Sequence, residues 1–295
     1  MSGNAPTEQT AAFDDLRALE EAHQSGAKRR PALRRTLSGI LPTTILVAVL
    51  LVAWQLFVVI ARPRPDLVPG PLDVLGAFDE ALSSGRLQQA VATSLERGAI
   101  GFLIAIAIAT PFGLILAEVR WLRRAFGPLI SGIQVLPSVA WVPAAILWFG
   151  LTDGAVYFVV LLGAIPSIVN GLLAGIDQVP PQLRRVGIVL GASRGELQTL
   201  VLLPAALPGY LAGLRQGWAF SWRSLMAAEI IATGGSLGFG LGSLLEQSRE
   251  LADLASVLAT ILTILVIGIF VELVVFAPIE RGLLRRRGLG ANTAK

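Results

Sequence analysis

One apolar stretch in the last third of the chain carries polar side chains that could bind a ligand. The sequence YLAGLRQGWAFSWRSLMAAEII includes two tryptophans among its polar and charged residues, and those of interest are Arg215, Gln216, Trp218, Trp222, Arg223, Ser224 and Glu229. A guanidinium keeps its charge when it loses water and can form two parallel hydrogen bonds to an oxyanion. Arg223 is therefore a candidate anion ligand. The alternative is that Arg223 is a structural counterion of Glu229, in this chain or in a second copy.

The spacing of these residues limits how they pair. Arg223 and Glu229 are six residues apart, so they lie on different faces of an ideal helix and a direct ion pair would need a bend. One of them could bind a ligand while the other pairs elsewhere. Arg215 lies nearer the start of the stretch, and we expect its long side chain to extend to lipid headgroups.

Residue types that much enzyme chemistry requires are missing from the sequence. The absence of cysteine excludes disulfides, thiolate metal sites and cysteine nucleophiles, and the one histidine, His23, lies in a polar tail. Neither lysine, Lys28 or Lys295, follows a glycine-rich loop, so the chain has no Walker-type phosphate site. We interpret the glycine-rich segment at 234–243 as a flexible or re-entrant outer turn between two spans. An intramembrane enzyme is disfavoured, because no paired carboxylates occur within the apolar segments.

The elements that must position these residues are membrane spans. The sequence is 54% hydrophobic and only 15% charged, which is typical of a chain that buries its excess apolar surface in lipid. About 20 apolar residues cross a bilayer as a helix. This length predicts six spans, at 38–61, 92–117, 128–150, 155–176, 208–232 and 253–278. The outer segment 62–91 contains a proline run and then PLDVLGAFDEAL, whose apolar spacing predicts a short surface helix.

Basic residues set the expected orientation of the spans. The chain has 24 lysines and arginines against 20 acidic residues, a net charge of +4, and most of the basic residues follow the second, fourth and sixth spans or lie in the two tails. The positive-inside rule then places both termini in the cytoplasm. We divide the chain into a polar, basic cytoplasmic tail at 1–36, a transmembrane domain at 37–280 and a basic cytoplasmic tail at 281–295.

The inner segment 177–208 is too polar to span the membrane. Pro180 and Pro181 are suited to open a helix, and Gly191 is suited to end it because glycine tolerates a positive φ. Ser193 or a neighbour is suited to cap a second helix that runs to Leu203. The pattern predicts a compact helix–glycine turn–helix unit that could dock into a groove of another protein, or an ordinary hairpin at the membrane surface.

This segment resembles the EAA loop of ATP-binding-cassette importer permeases. The pattern of that loop is Glu-Ala-Ala, three residues, Gly, nine residues and then I-x-L-P. Gly191, Val201, Leu203 and Pro204 occupy its fixed positions, whereas Arg185, Val186 and Gly187 replace Glu-Ala-Ala. The resemblance implies that an EAA-type coupling loop at 177–208 docks with an ATPase. The residues assigned to it are Arg185, Gly187, Gly191, Ala192, Ser193, Val201, Leu203 and Pro204.

A second segment resembles the nitrate, sulfonate and taurine branch of these permeases, in which a P-x-x-A-x-x-P-x-x-I-L-W-F-G segment recurs. Pro137, Ala140, Pro143, Ile146, Leu147, Trp148, Phe149 and Gly150 carry that pattern here. The resemblance extends over residues 65–280. It implies an all-α integral membrane protein with about six transmembrane helices and the importer permease fold.

Polar groups and prolines within the spans are the candidate lining of a translocation pathway, because polar groups in hydrocarbon are costly unless they face a cavity or a partner. Prolines leave carbonyls unpaired, which suits a cavity wall or a packing kink equally. Trp141 is explained as well by anchoring at the membrane interface. The candidates are Gln134, Pro137, Trp141, Pro143, Asn170, Gln216, Trp218, Arg223 and Glu229.

The resemblance also implies the partners of this chain. They are a second permease copy, as in a homodimer, two cytoplasmic ATPase subunits that hold ATP and magnesium, an extracytoplasmic solute-binding protein and membrane lipid. The chain itself would be a non-catalytic subunit in the cell membrane that holds no cofactor or metal and binds no nucleic acid. The expected cargo is a small anion such as an aliphatic sulfonate, taurine or nitrate. A pyrimidine-type vitamin precursor is the alternative cargo. The alternative mechanism is that of an ion-coupled secondary transporter, in which Glu229 or Arg223 relays an ion or a proton. Transport that does not depend on ATP would indicate this mechanism.

Overall fold

The computed structural model describes residues 32–64 and 67–286, which contain helices and no strands. The chain divides into two units, at residues 1–62 and 63–295. The described part of the first unit is an apolar helix, α1, at Ala32–Ala61. The predicted tails at 1–36 and 281–295 lie mostly outside the described residues, although residues 32–36 and 281–286 are helical.

The second unit is a bundle of helices joined by short turns. Its elements are α2 (Pro71–Ser83), α3 (Arg86–Glu118), α4 (Arg120–Val135), a 3₁₀ turn (Ser138–Trp141), α5 (Val142–Phe149), α6 (Asp153–Asp177), α7 (Pro181–Val189), α8 (Arg194–Ile231), α9 (Leu241–Glu250) and α10, which comprises Leu254–Val271, a π-helical turn at Glu272–Phe276 and Ala277–Arg286.

The prediction of an all-α membrane protein with about six spans is confirmed. Among the described residues, five helices are long and apolar enough to cross a membrane, and a bent pair of helices makes a sixth candidate. The short helix predicted after the proline run is α2, which begins with Pro71 at a position where the missing N–H of proline costs nothing. The second span is longer than predicted, because α3 begins at Arg86 rather than at residue 92.

The third predicted span, 128–150, is wrong as a single helix. The chain bends by 96° between α4 and the segment that contains α5. A residue before proline is driven out of the α region by contact with the proline ring, and Leu136, which precedes Pro137, has ψ 129°. Pro143 does not break α5, because it lies in its first turn.

The most buried span, α6, packs against α3, α4, α5 and α8. Its contact with α8 is a seam of small residues in which the two backbones nearly touch. A Cβ added to Gly209 would lie 2.5 Å from the Cα of Gly175, and a Cβ added to Gly213 would lie 2.7 Å from the Cα of Gly171. Small residues at four-residue spacing allow this approach. Within a membrane there is no hydrophobic driving force between helices, so such close packing is what favours their association.

The second helix of the predicted hairpin and the fifth span are one helix. We expected the second helix of the hairpin to end near Leu203 and the fifth span to begin at residue 208, but α8 runs without a break from Arg194 to Ile231. A π-helical turn at Leu197–Leu202 absorbs the irregularity just before Pro204, whose missing N–H interrupts the α-helical ladder. The inner loop and the polar span are therefore rigidly connected.

Candidate functional site

A cavity of about 380 Å³ lies between the bend after α4 and the middle of α8. It brings together four of the predicted pathway residues with the ring of Phe220. None of the described residues that line it is acidic. The lining residues used below are Gln134, Pro137, Trp141, Phe220 and Arg223.

Three side-chain hydrogen bonds hold the bend in place against the rest of the bundle. The Nδ2 of Asn170 donates to Oε1 of Gln134 over 2.9 Å, and Nε2 of Gln134 donates to Oγ of Ser167 over 3.2 Å. On the other side of the bend, Oγ of Ser224 donates to Oγ of Ser138 over 2.7 Å. Asn170 therefore positions Gln134 from behind and is not itself among the lining residues of the cavity.

Arg223 is exposed on the wall of this cavity. Its Nε donates to the backbone oxygen of Ala219 over 3.2 Å, and its Cζ lies 4.8 Å from the centre of the Phe220 ring. Among the residues that the structure describes, no carboxylate forms an ion pair with Arg223. The outer nitrogens of its guanidinium can therefore donate to a ligand.

Glu229 lies elsewhere, in a buried cluster at the end of α8, and only 1% of its surface is exposed. It accepts hydrogen bonds from Oγ of Ser94 at 2.6 Å, from Nη1 of Arg97 at 3.1 Å and from the backbone N–H of Gly242 at 3.1 Å. The Nε of Arg97 also donates to Asp153 over 2.8 Å. Within this chain the counterion of Glu229 is thus Arg97 and not Arg223, as the six-residue spacing indicated.

The glycine-rich segment at 234–243 packs over this cluster rather than standing free as an outer turn. The backbone oxygen of Gly238 accepts from Arg97 over 3.2 Å, and the N–H of Leu241 donates to Ser94 over 2.8 Å. Glycine is needed for this approach, because a Cβ added to Gly240 or to Gly242 would lie 2.5 Å from an atom of the Glu229 side chain.

Three other predicted pathway residues lie outside the cavity. Trp218 is buried and stacks on Trp222, with 6.0 Å between the ring centres. Gln216 lines a different cavity of about 410 Å³, between α8 and α10. Pro143 is exposed in the first turn of α5 and is not among the residues that line either cavity.

Arg215 lines the cavity between α8 and α10 together with Gln216. It forms ion pairs with Glu272 and, at 3.3 Å, with Glu280. Its guanidinium therefore binds carboxylates within the protein, which are partners that the sequence did not predict, and about half of its side chain stays exposed.

The inner loop forms the predicted helix–glycine turn–helix. Gly191 has φ +83°, and the N–H of Ala192 donates back to the oxygen of Gly187 over 3.0 Å. Ser193 caps α8 in a reciprocal pair with Glu196, in which each side chain accepts from the other residue's backbone N–H.

Close packing joins α7 to the start of α8. A Cβ on Gly187 would lie 2.7 Å from Leu197 and 3.5 Å from Val201. Leu203 packs on the apolar core, whereas Arg185 and Pro204 are exposed. α7 and the start of α8 are thus held at a fixed angle to each other.

The family model described as "Binding-protein-dependent transport system inner membrane component" matches residues 109–277, which is more than half of the chain. The chain belongs to this family. It is the permease subunit of an ATP-binding-cassette importer, and several of its helices are suited to cross the membrane. Permeases of this family work with an ATPase and a solute-binding protein.

Curated relatives of this permease cover most of its length. It is 30% identical to the taurine transport system permease protein of Escherichia coli over 86% of this chain and 92% of the relative. It is 34% identical to the riboflavin transport system permease protein of Chloroflexus aurantiacus over 83% of this chain and 89% of the relative. It is 28% identical to the nitrate import permease protein of Synechococcus elongatus over 76% and 82%. The predicted branch of the family is confirmed.

A solved structure supports the fold of the permease. A chain of the MetNI methionine ABC transporter in an inward-facing conformation superposes with a TM-score of 0.57 at 22% identity. The match covers 67% of this permease and 95% of that chain. The predicted importer permease fold is thereby confirmed.

The residues that pair with Glu229 were not among those predicted from the sequence. Arg97 is an arginine inside the predicted second span, and an ionisable residue in a span is a sign of a functional or structural partner. Ser94, one turn before it, and Asp153, at the start of α6, complete the cluster. The glycine seam also had a sequence signal, since Gly209, Gly213 and Gly217 recur every four residues.

Among the described residues, no three histidine, cysteine or acidic side chains group as a metal site would require.

Proposed function

We propose that this permease moves a small oxyanion, such as an aliphatic sulfonate, taurine or nitrate, and that Arg223 binds the anion on its path. The observation that carries the proposal is an arginine without a carboxylate partner, on the wall of a cavity whose described lining residues are not acidic. The taurine and nitrate relatives support the same class of cargo. Ligand sites are typically about 300–1,000 Å³ in volume, a range that includes this cavity.

The chemistry of Arg223 suits a weak, reversible anion site. Its Nε and its ring contact hold the guanidinium plane against α8, so less side-chain freedom is lost when the outer nitrogens bind an oxyanion. The guanidinium stays charged when water leaves, and two parallel hydrogen bonds favour a planar or tetrahedral oxyanion over chloride.

The remaining parts of the transporter follow from the family. In our proposal two copies of the permease enclose the pathway, two ATPase subunits supply ATP and magnesium, and a solute-binding protein delivers the anion from the side opposite to both termini. This chain would hold no cofactor of its own. Closure of the ATPases would move the inner loops, and the unbroken α8 would carry that movement to Arg223 as a rigid-body change.

Uptake by reconstituted vesicles tests the role of Arg223. Vesicles that contain the permease, its ATPase and its binding protein should take up labelled taurine or nitrate only with ATP. Arg223→Met should lower uptake about tenfold or more, because charge-assisted hydrogen bonds are lost. Arg223→Lys should fall in between, since it keeps the charge but not the paired geometry.

Arg281 offers a matched control. Its Nε donates to the oxygen four residues earlier, Ala277, over 3.1 Å, which is the same contact that Arg223 makes with Ala219. Arg281→Met should leave uptake unchanged. Normal anion uptake by a well-assembled Arg223→Met variant would refute the ligand role, and uptake without ATP would favour a secondary transporter.

A flat neutral cargo is the second candidate, because Trp141 and Phe220 also line the cavity and one relative is a riboflavin permease. Rings of a vitamin or a pyrimidine precursor could stack on these side chains. Thermal-shift measurements on the cognate binding protein, with sulfonates, nitrate, bicarbonate, pyrimidines and riboflavin, separate the two classes. Stabilisation by the ring compounds alone would overturn the anion proposal.

A further inference from the structure

The exposed face of α7 combines apolar residues with one arginine that has no partner. Val186, Val189 and Leu190 are 55%, 85% and 80% exposed. Arg185 lies four residues before Val189, so the two side chains are neighbours on the helix surface. The only α7 residue classed as buried, Gly187, faces the start of α8. Val186, Val189 and Leu190, at spacings of three and four residues, thus form an exposed apolar stripe beside the packed side of the helix, with a positive charge at its edge.

Both carboxylates of the 177–208 loop, and Glu118 at the end of α3, already have partners within the described part of the chain. Asp177 accepts two hydrogen bonds from Arg123, at 2.8 and 2.5 Å. Glu118 accepts from Gln198 at 2.5 Å. Glu196 accepts a hydrogen bond from the backbone N–H of Ser193, the cap residue of α8.

Arg185 has no such partner. No carboxylate in the described part of the chain lies within ion-pair distance of it. The neighbouring Arg184 differs, because it lines a cavity that it shares with Glu118.

We propose that the stripe of Val186, Val189 and Leu190 docks in an apolar groove of the ATPase subunit, and that an aspartate or glutamate at the rim of this groove pairs with Arg185. The proposal rests on the ATPase-coupling role proposed above and adds the charge of the partner surface. Burial of an arginine at an interface without an anion is strongly unfavourable, so we expect the partner to supply one. The EAA pattern has an acidic residue at this position, so this permease presents the opposite charge there.

The geometry favours a protein groove as the occupant. The turn at Gly191, the cap of Ser193 and the contact of Gly187 with Leu197 fix the angle between α7 and α8. A rigid, protruding helix loses little conformational entropy when it docks in a matching groove. Anionic lipid headgroups are the other anions that Arg185 could meet, and they form one outcome of the test.

The first experiment measures binding of the cognate ATPase to the permease in nanodiscs of neutral lipid. Arg185→Glu should weaken binding about tenfold or more, because like charges then meet across the interface. The wild-type affinity should fall as potassium chloride is raised. Arg281→Glu, which reverses an exposed charge on α10, should bind as the wild type does. Val189→Asp should weaken binding whatever the charge of the groove.

The second experiment locates the acidic group directly. The chain has only two lysines, Lys28 and Lys295, so Arg185→Lys introduces a nearly unique amine while it preserves the charge. A zero-length carbodiimide should join that amine to an aspartate or glutamate of the ATPase, and mass spectrometry should identify the linked peptides. Arg281→Lys should give no such link.

The outcomes separate the two proposals. Failure of the wild type and of every variant to bind the ATPase would overturn the coupling role itself. A second outcome is that Val189→Asp abolishes binding, Arg185→Glu does not weaken it, and position 185 gives no cross-link. This outcome would overturn the proposed acidic group in the groove and leave the coupling role intact. An effect of Arg185→Glu that appears only in nanodiscs with anionic lipid would assign Arg185 to the membrane surface and refute the proposal.

Discussion

Arg97 on α3 and Glu229 on α8 form a buried ion pair, with 3.1 Å between Nη1 and Oε1. The carboxylate also accepts the N–H of Gly242 in the first turn of α9, where the helix dipole favours a negative charge. Through Asp153 the same arginine reaches α6. One charge pair therefore joins four helices at one end of the bundle, and Glu229 is engaged in packing rather than exposed on the cavity wall.

Removal of one member of this pair should destabilise the permease. Arg97→Met leaves the charge of Glu229 buried without a counterion, which should cost about 3–5 kcal/mol of the free energy of unfolding. The double variant Arg97→Met with Glu229→Gln should recover most of that loss. The loss in the single variant and its recovery in the double variant can be measured as melting temperatures of the detergent-solubilised complex, monitored by size-exclusion chromatography. Arg223→Met is the control and should melt as the wild type does, and a stable Arg97→Met variant would contradict the structure.

Gly242→Ala should also lower stability, because a Cβ there would lie 2.5 Å from Cβ of Glu229 and 2.8 Å from the backbone nitrogen of Ile230. Overpacking of this kind costs about 1–3 kcal/mol. Gly76→Ala in α2 is the matched control, since a Cβ there meets nothing within 4 Å. That change should raise helix stability by up to about 1 kcal/mol. Equal melting temperatures for the two variants would show that the 234–243 segment does not pack over Glu229.

The turn in the inner loop depends on the backbone conformation of Gly191. Its φ of +83° is outside the range of proline, so Gly191→Pro should abolish copurification of the ATPase while the permease remains inserted in the membrane. Gly191→Asn should retain the ATPase, because asparagine tolerates a positive φ and a Cβ at this position meets nothing within 4 Å. Stoichiometric ATPase binding by the proline variant would exclude this loop as the dock.

Both termini should face the cytoplasm. The chain has no cysteine, so Thr10→Cys and Gly290→Cys each introduce a single reactive thiol. A membrane-impermeant thiol reagent applied to intact cells should label neither variant. It should label Ser83→Cys, which introduces a thiol at an exposed position on the expected outer side. Labelling of position 10 or 290 would refute the predicted topology.

Much of the fold was predictable because its signals are local. Runs of apolar residues mark the spans, and Ser193 with Glu196 three residues later marks the start of α8. Pro137 marks the place where the third span breaks, although the sequence pattern was interpreted as a cavity wall or a packing kink within one continuous span. The six-residue spacing of Arg223 and Glu229 places them on different faces of a helix, which disfavoured a direct pair between them unless the helix bends.

The class of protein, the approximate spans, the glycine turn at Gly191 and the cap at Ser193 could be predicted from the sequence alone. These depend on side-chain periodicity and on backbone stereochemistry within a few residues. Only the tertiary structure decided that Arg97 is the counterion of Glu229, 132 residues further along the chain, and that Gln134, Trp141 and Arg223 share one cavity. Such contacts depend on how closely α3, α6 and α8 approach, and that distance is set by glycines on two helices at once, which no local pattern specifies.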